Sequence, residues 1–220
     1  MKDPKTGKIT EYAVIQDMAS LVWMANLACL EFHVLLAQAP KVDKPTLIVF
    51  DLDPGPNQTI LDCASMALEM RMMLGSLKLQ AFAKTSGNKG LHLYIPLNTP
   101  TSYEATTPFA RAVAQLFEKQ HPKQIVSNMR KDLREGKIFI DWSQNSRHKT
   151  TVAPYSLRAS PSPAVSTPVA WDELESALKK KDPELLRFSL AQVVSRLEKQ
   201  GDLFKPVYRL RQKLPALNSD

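Results

Sequence analysis

Two aspartates one residue apart, Asp51 and Asp53, stand where the apolar run Leu47-Ile48-Val49-Phe50 meets a Pro54-Gly55 stop. A short buried strand ending at a turn accounts for that pattern. Side chains alternate across a strand, so both carboxylates project from one face with Leu52 on the other. Adjacent carboxylates repel, and burying one without a partner is costly. A hard divalent cation, Mg²⁺ or Mn²⁺, relieves both penalties. Taken alone, the pair also fits a solvated strand end whose aspartates begin a turn. A second chemical stretch, Ser86-Gly87-Asn88-Lys89-Gly90, separates two apolar runs and is followed by His92. Its glycines would expose backbone N–H groups, as a phosphate-cradling turn requires. The spacing is not that of a Walker A loop, because a strand follows instead of a helix. A plain Gly-rich hairpin fits equally well. A third strand, Lys137-Ile138-Phe139-Ile140, delivers Asp141 at its end, and Arg158 lies downstream. Carboxylates and an imidazole on strands, with Ser, Lys and Arg on loops, form the inventory for a metal-bound polyphosphate.

Elements of two periods must position these groups. Helices are expected over 17–38, capped by Asp17, over 58–74, capped by Thr59, and over 103–121. The first is apolar on most sides, which predicts a buried helix. His33 falls near its C-terminal end, where surface or helix-dipole histidines are common. Strands are expected at 47–53, 79–85, 91–95 and 137–141, and the tight strand–loop–strand over 79–95 favours antiparallel pairing. The Pro/Ser-rich stretch 159–168 reads as an extended crossing or exposed arm. Helices follow from Trp171 and over Leu185 to Leu197, and the basic tail from Phe204 onward reads as peripheral. The fold class is therefore α+β.

The 220 residues are 44% apolar and 23% charged, an ordinary globular profile. No apolar run reaches membrane-spanning length and the N-terminus lacks a signal-peptide core, so a cytoplasmic protein is expected. Cys29 and Cys63 read as buried free thiols. The net charge is +7, and between Lys119 and Lys149 eight Lys/Arg face three acids. That window points to a polyanionic partner, nucleic acid or nucleotide. Solvated loop charge explains it equally.

The segments Phe50-Asp51-Leu52-Asp53-Pro54-Gly55, Lys84-Thr85-Ser86-Gly87-Asn88-Lys89-Gly90-Leu91-His92 and Ile138-Phe139-Ile140-Asp141 occur in an order that carries a resemblance. Ala153-Pro154-Tyr155-Ser156-Leu157-Arg158-Ala159 and Ser166-Thr167-Pro168-Val169 extend it. From about Asp17 to Trp171 the chain resembles the polymerase domain of bacterial DNA ligase D, a branch of the archaeo-eukaryotic primase superfamily. The resemblance implies an RNA-recognition-motif-like, mostly antiparallel sheet flanked by helices. It implies that Asp51, Asp53 and Asp141 hold two Mn²⁺ or Mg²⁺ ions, and that Ser86, Lys89, His92, Arg158 and His33 meet the nucleotide. Arg130, Lys131, Arg134, Arg147 and Lys149, in and beside the basic window, are the candidates for nucleic-acid contact. Departures from the family pattern are Asn88 in place of Gly and Gln144 in place of Arg. The resemblance leads to the expectation that the family's N-terminal DNA-end-binding segment is not among these residues.

On this reading residues 1–16 are an irregular segment and 17–171 a primase/polymerase-like catalytic domain. Residues 172–220 are a helical and basic tail packing on or extending that domain. The implied activity is metal-dependent nucleotidyl transfer, with ribonucleotides favoured, to DNA ends in non-homologous end joining. Primer–template or break ends and nucleoside triphosphates would be the substrates. An end-binding repair protein and a ligase would be the partners. Two alternatives stand beside it. One is a non-catalytic or truncated nucleic-acid-binding accessory domain. The other is a haloacid dehalogenase-type phosphatase with Asp51 as nucleophile, although Gly55 stands where that family has Thr or Val.

Overall fold

The computed structural model describes residue 7, residues 9–160 and residues 162–215. Its elements in chain order are α1 (Met18–Asn26), β1 (His33–Leu35), β2 (Leu47–Pro54), α2 (Ile60–Ser76), β3 (Phe82–Thr85), β4 (Leu91–Pro96), α3 (Tyr103–Gln120), β5 (Ile125–Val126), β6 (Ile138–Asp141), β7 (Thr150–Val152), β8 (Leu157–Arg158), β9 (Ala164–Val165), β10 (Pro168–Val169), α4 (Trp171–Lys180) and α5 (Leu190–Gln200). The fold is α+β. The chain divides into two compact units, Met1–Leu30 and Glu31–Asp220.

In the first unit, Asp17 caps α1 by accepting the Ser20 N–H at 2.7 Å. The helix ends at Asn26, not near residue 38 as the apolar run predicts, and Ala28 follows with φ +59°. None of its residues is buried, contrary to the buried helix expected, and Cys29 is half-buried instead of buried. Within the second unit, residues 33–35 are a strand: His33 pairs with Val152 and Leu35 with Thr150. An apolar run containing Phe32 and Val34 suits a pleated surface as well as a helix, and the partner strand decides between them.

The second unit is organised on a six-stranded sheet of order β10-β3-β4-β2-β6-β5, antiparallel except for the β5–β6 pair. Alternation gives the sheet two unlike faces. Phe50, Leu52, Leu91, Leu93, Ile95 and Ile140 enter one core with residues of α2, α3, α4 and α5. Burying each such side chain contributes about 1.5–3 kcal/mol. Thr59 and Asp62 close a capping box at the start of α2, and the Cys63 thiol donates to Leu52 O at 3.4 Å. The opposite face carries the polar residues, with a small cluster of Leu36, Val49, Tyr94, Phe204 and Val207 at one end.

Three expectations about the C-terminal third are corrected. Of the stretch 159–168, read as an extended crossing or exposed arm, residues 159, 162 and 163 are exposed, but residues 164–169 are buried: β9 and β10 are covered, as are Ser166 and Thr167 between them. Pro168 is tolerated because β10 is an edge strand. The helix expected over 185–197 is a short turn of helix at Pro183–Leu186 followed by α5. The tail is not peripheral: Phe204 and Val207 are buried, and Gln212 donates to Gln80 O and Pro96 O. Its apolar and amide side chains fasten the tail despite its charge. No helix of the described residues is long and apolar enough to cross a membrane.

Candidate active site

Register places the chemical groups in one row across four strands. Lys84 on β3 pairs with His92 on β4, His92 with Asp51 on β2, and Asp51 with Asp141 on β6. Asp53 lies one step further along β2, opposite Phe139. Paired residues share a face, so period-two alternation brings together groups up to 90 residues apart.

Two glycines let loops close on this row. The Gly55 N–H donates to Lys137 O at 2.9 Å, and a Cβ at Gly55 would lie 1.9 Å from Arg134 O. Only glycine lets residues 134–137 pack on the end of β2. Gly87 has φ +72°, and a Cβ there would lie 2.6 Å from Arg158 Cγ. The Ser86–Gly90 turn is thereby seated against Arg158. Its backbone is not the open N–H cradle that the glycines suggest, because the Asn88 and Gly90 N–H groups donate to Ser86 Oγ at 3.2 and 3.1 Å. Ser86 keeps its own O–H to donate outward.

A cavity of about 350 Å³ is lined by His33, Asp51, Asp53, Ser86, Lys89, His92, Arg134 and Arg158 among others. Eight of the residues singled out in sequence thus share one site. Asp141 faces it from the neighbouring strand, but its carboxylate is engaged. Oδ1 accepts from Ser143 N (2.9 Å) and Ser143 Oγ (2.6 Å), and Oδ2 accepts from Gln144 Nε2 (3.0 Å). Four basic candidates are not among the cavity's lining residues. Arg130 is paired with Asp132 at 2.5 Å and Arg147 with Asp43 at 2.5 Å, while Lys131 and Lys149 are exposed. A larger apolar cavity, about 470 Å³, lies by the start of α3 and contains none of the site residues.

The charges are unevenly compensated. Burial would raise the Asp51 pKa, but His92, Lys84 and Arg158 outweigh it and hold the carboxyl below its usual range. Its Oδ1 lies 3.2 Å from His92 Nε2 at an angle that makes no hydrogen bond, leaving a buried oxygen without a partner. Burial and the neighbouring Asp51 and Asp141 carboxylates push Asp53 up to about 7. Burial pushes His92 down, which favours the neutral imidazole. An orphaned carboxylate oxygen beside a second carboxyl crowded toward protonation is a donor pair suited to a hard divalent cation. No three His, Cys, Asp or Glu among the described residues are already gathered around one point. Asp141 could join Asp51 and Asp53 only by leaving Ser143 and Gln144.

Three residues of the site were not singled out from sequence. Glu31 accepts from Ala159 N at 2.9 Å and pairs with His33 at 2.7 Å and Arg158 at 3.5 Å, fastening two basic side chains of the cavity. Asn145 is fully buried, and its amide accepts from Val49 N (2.9 Å) and donates to Val49 O (2.7 Å). It extends the sheet past the end of β6 and anchors the loop after Asp141. Lys84 is fully buried and donates to Ser166 Oγ at 2.6 Å. A lysine inside an apolar strand was the one available signal.

The model of the family described as LigD, primase-polymerase domain, matches residues 1–204. The chain belongs to that family. It is 43% identical over 205 residues to the multifunctional non-homologous end joining protein LigD of Mycolicibacterium smegmatis, covering 92% of this chain and 26% of the relative. It is 35% identical over 206 residues to the bifunctional non-homologous end joining protein LigD of Bacillus subtilis, covering 93% of this chain and 33% of that one. The chain therefore spans a quarter to a third of these relatives' length. Among solved structures, the polymerase domain of Mycobacterium tuberculosis ligase D in complex with DNA superposes with a TM-score of 0.80 at 41% identity. That match covers 89% of this chain and 69% of the other.

Proposed function

We propose that this LigD-family chain is a metal-dependent nucleotidyltransferase that adds nucleotides, ribonucleotides first, to DNA 3′ ends during non-homologous end joining. The observation that carries the reading is the single cavity that unites the Asp51/Asp53 pair with Ser86, His92, His33 and Arg158. Family membership and the structural likeness to a DNA-bound polymerase domain support it.

Asp51, Asp53 and Asp141 would hold the divalent ions, Mn²⁺ or Mg²⁺. When bound, such ions would supply activation of a primer hydroxyl and stabilisation of the charge that develops on the leaving pyrophosphate. The chain's own groups do the rest. The Ser86 hydroxyl and the Lys89 ammonium face the triphosphate as donors, and Arg158 offers a guanidinium whose planar fork suits phosphate oxygens. Glu31 limits the freedom of Arg158 and His33 before substrate arrives, which reduces the entropy lost on binding. Neutral His92 can donate one hydrogen bond without adding to the positive charge. DNA would be the polyanionic partner, with a ligase and an end-binding protein acting on the same break.

The reading is tested by extension of a labelled primer–template with Mn²⁺ and ribo- or deoxyribonucleotides. Extension by the wild type and none by folded Asp51→Ala is the expected result. Equal extension by both proteins, or none by either, would overturn it.

A further inference from the structure

Lys84 is fully buried, yet among the described residues no carboxylate stands within ion-pair distance of it. Its ammonium donates to Ser166 Oγ at 2.6 Å and lies 5.7 Å from the centre of the Tyr94 ring. Ser166 Oγ donates onward to Thr85 O at 2.9 Å, so the hydroxyl offers Lys84 an acceptor and no negative charge. Keeping a charge in such surroundings costs several kcal/mol unless an anion compensates it. The sheet register identifies the anion: Asp51 lies two strands away in the same row, with only His92 between. Strand spacing of about 4.8 Å puts roughly 10 Å between the two positions. Burial pushes the Lys84 ammonium down to about 7.

We infer that Lys84 is the internal counter-charge of the cation site: from the same row of the sheet as Asp51 it weakens the uptake of a lone divalent cation and favours the triphosphate that arrives with it. The inference rests on the reading of Asp51 and Asp53 as cation ligands and adds a role for a residue outside the cavity wall. Lys84 touches no reacting atom; it is a positioning charge. Its consequence is coupling, because a cation bound without nucleotide is opposed by Lys84, while the combined charge of nucleotide and cation is not.

The test measures binding, not turnover. Mn²⁺ affinity without nucleotide is read by electron paramagnetic resonance at pH 6.5 for wild type, Lys84→Met, Lys84→Gln and Lys84→Arg. A non-hydrolysable ribonucleoside triphosphate analogue is titrated separately in EDTA by calorimetry. Removing a unit charge at that range should tighten Mn²⁺ binding about tenfold in the Met and Gln variants. The analogue should bind them about tenfold more weakly, and Lys84→Arg should behave as wild type. Gln keeps an uncharged polar group in the same direction, so it carries the test if Met disturbs folding. Mn²⁺ binding in Met and Gln that is no tighter than in wild type would overturn the inference alone, as would parallel loss of both ligands, the mark of a structural lysine. No Mn²⁺ binding by wild type would overturn the cation reading and the inference together.

Discussion

Replacing Asp53 by Asn in the metal-free protein should make the fold more stable at alkaline pH, although it removes a residue assigned to the site. The folded state holds the Asp53 proton up to about pH 7, whereas the unfolded chain releases it near 3.8. Between those values the native state binds more protons than the unfolded state, so raising the pH lowers stability. The penalty is absent below the unfolded pKa and complete above the folded one. A shift of about three units at 1.36 kcal/mol each sets a ceiling of about 4 kcal/mol. Water reaching the partly exposed carboxyl reduces this to about 2 kcal/mol. Urea unfolding in EDTA at pH 5 and pH 8 measures it. Lys84 and His92 titrate in both proteins and largely cancel in the difference. Asp53→Asn should gain about 1 kcal/mol on wild type between the two pH values, because roughly a third of the penalty is already present at pH 5. Saturating Mn²⁺ should then reverse the order, because ligand at a hundred times its Kd adds about 2.7 kcal/mol to the protein that binds it. Parallel pH profiles, or an Asn variant less stable than wild type at pH 8 in EDTA, would refute the picture of two crowded carboxyls.

Two further substitutions probe the parts that hold the site. Glu31→Gln should leave the fold intact but free Arg158 and His33, raising the nucleotide KM about tenfold, or 1.4 kcal/mol; steady-state extension kinetics with an unchanged KM would contradict that role. Asn145→Ala strips the Val49 N–H and C=O of their partners and should cost about 3 kcal/mol by urea unfolding, with less than about 1 kcal/mol as the contrary result.

The groups of the candidate site were legible wherever a local pattern carried them. An apolar run into Asp51-Leu52-Asp53 fixes a strand and a shared face, and the alternation around His92 assigns its side of the sheet without any knowledge of partners. What sequence could not show depends on pairing across distance. Lys84 matters because β3 lies beside β4 and β4 beside β2. Glu31 matters because 31–35 runs along 150–152 and brings it to Arg158. Asn145 matters because β6 ends at Asp141, and the Val49 backbone is satisfied only by this side chain four residues on. The strand at 33–35 was hidden in the continuous apolar run before it, since an apolar run alone does not distinguish a helix from a strand. The buried path of 164–169 was hidden by a Pro/Ser composition that ordinarily marks exposed chain. The Ser86–Gly90 turn gave its position correctly but not its wiring, because a side-chain oxygen competes for backbone N–H groups that glycines alone would leave open.

The central claim is that the Asp51/Asp53 cavity binds nucleotide and divalent cation together. Crystals soaked with Mn²⁺ and a non-hydrolysable ribonucleoside triphosphate test it most directly, through the anomalous scattering of manganese. Manganese is expected between Asp51 and Asp53, the triphosphate along Ser86, Lys89 and Arg158, and Asp141 turned away from Ser143 and Gln144 toward the metal. Manganese elsewhere, or a nucleotide outside this cavity, would contradict it.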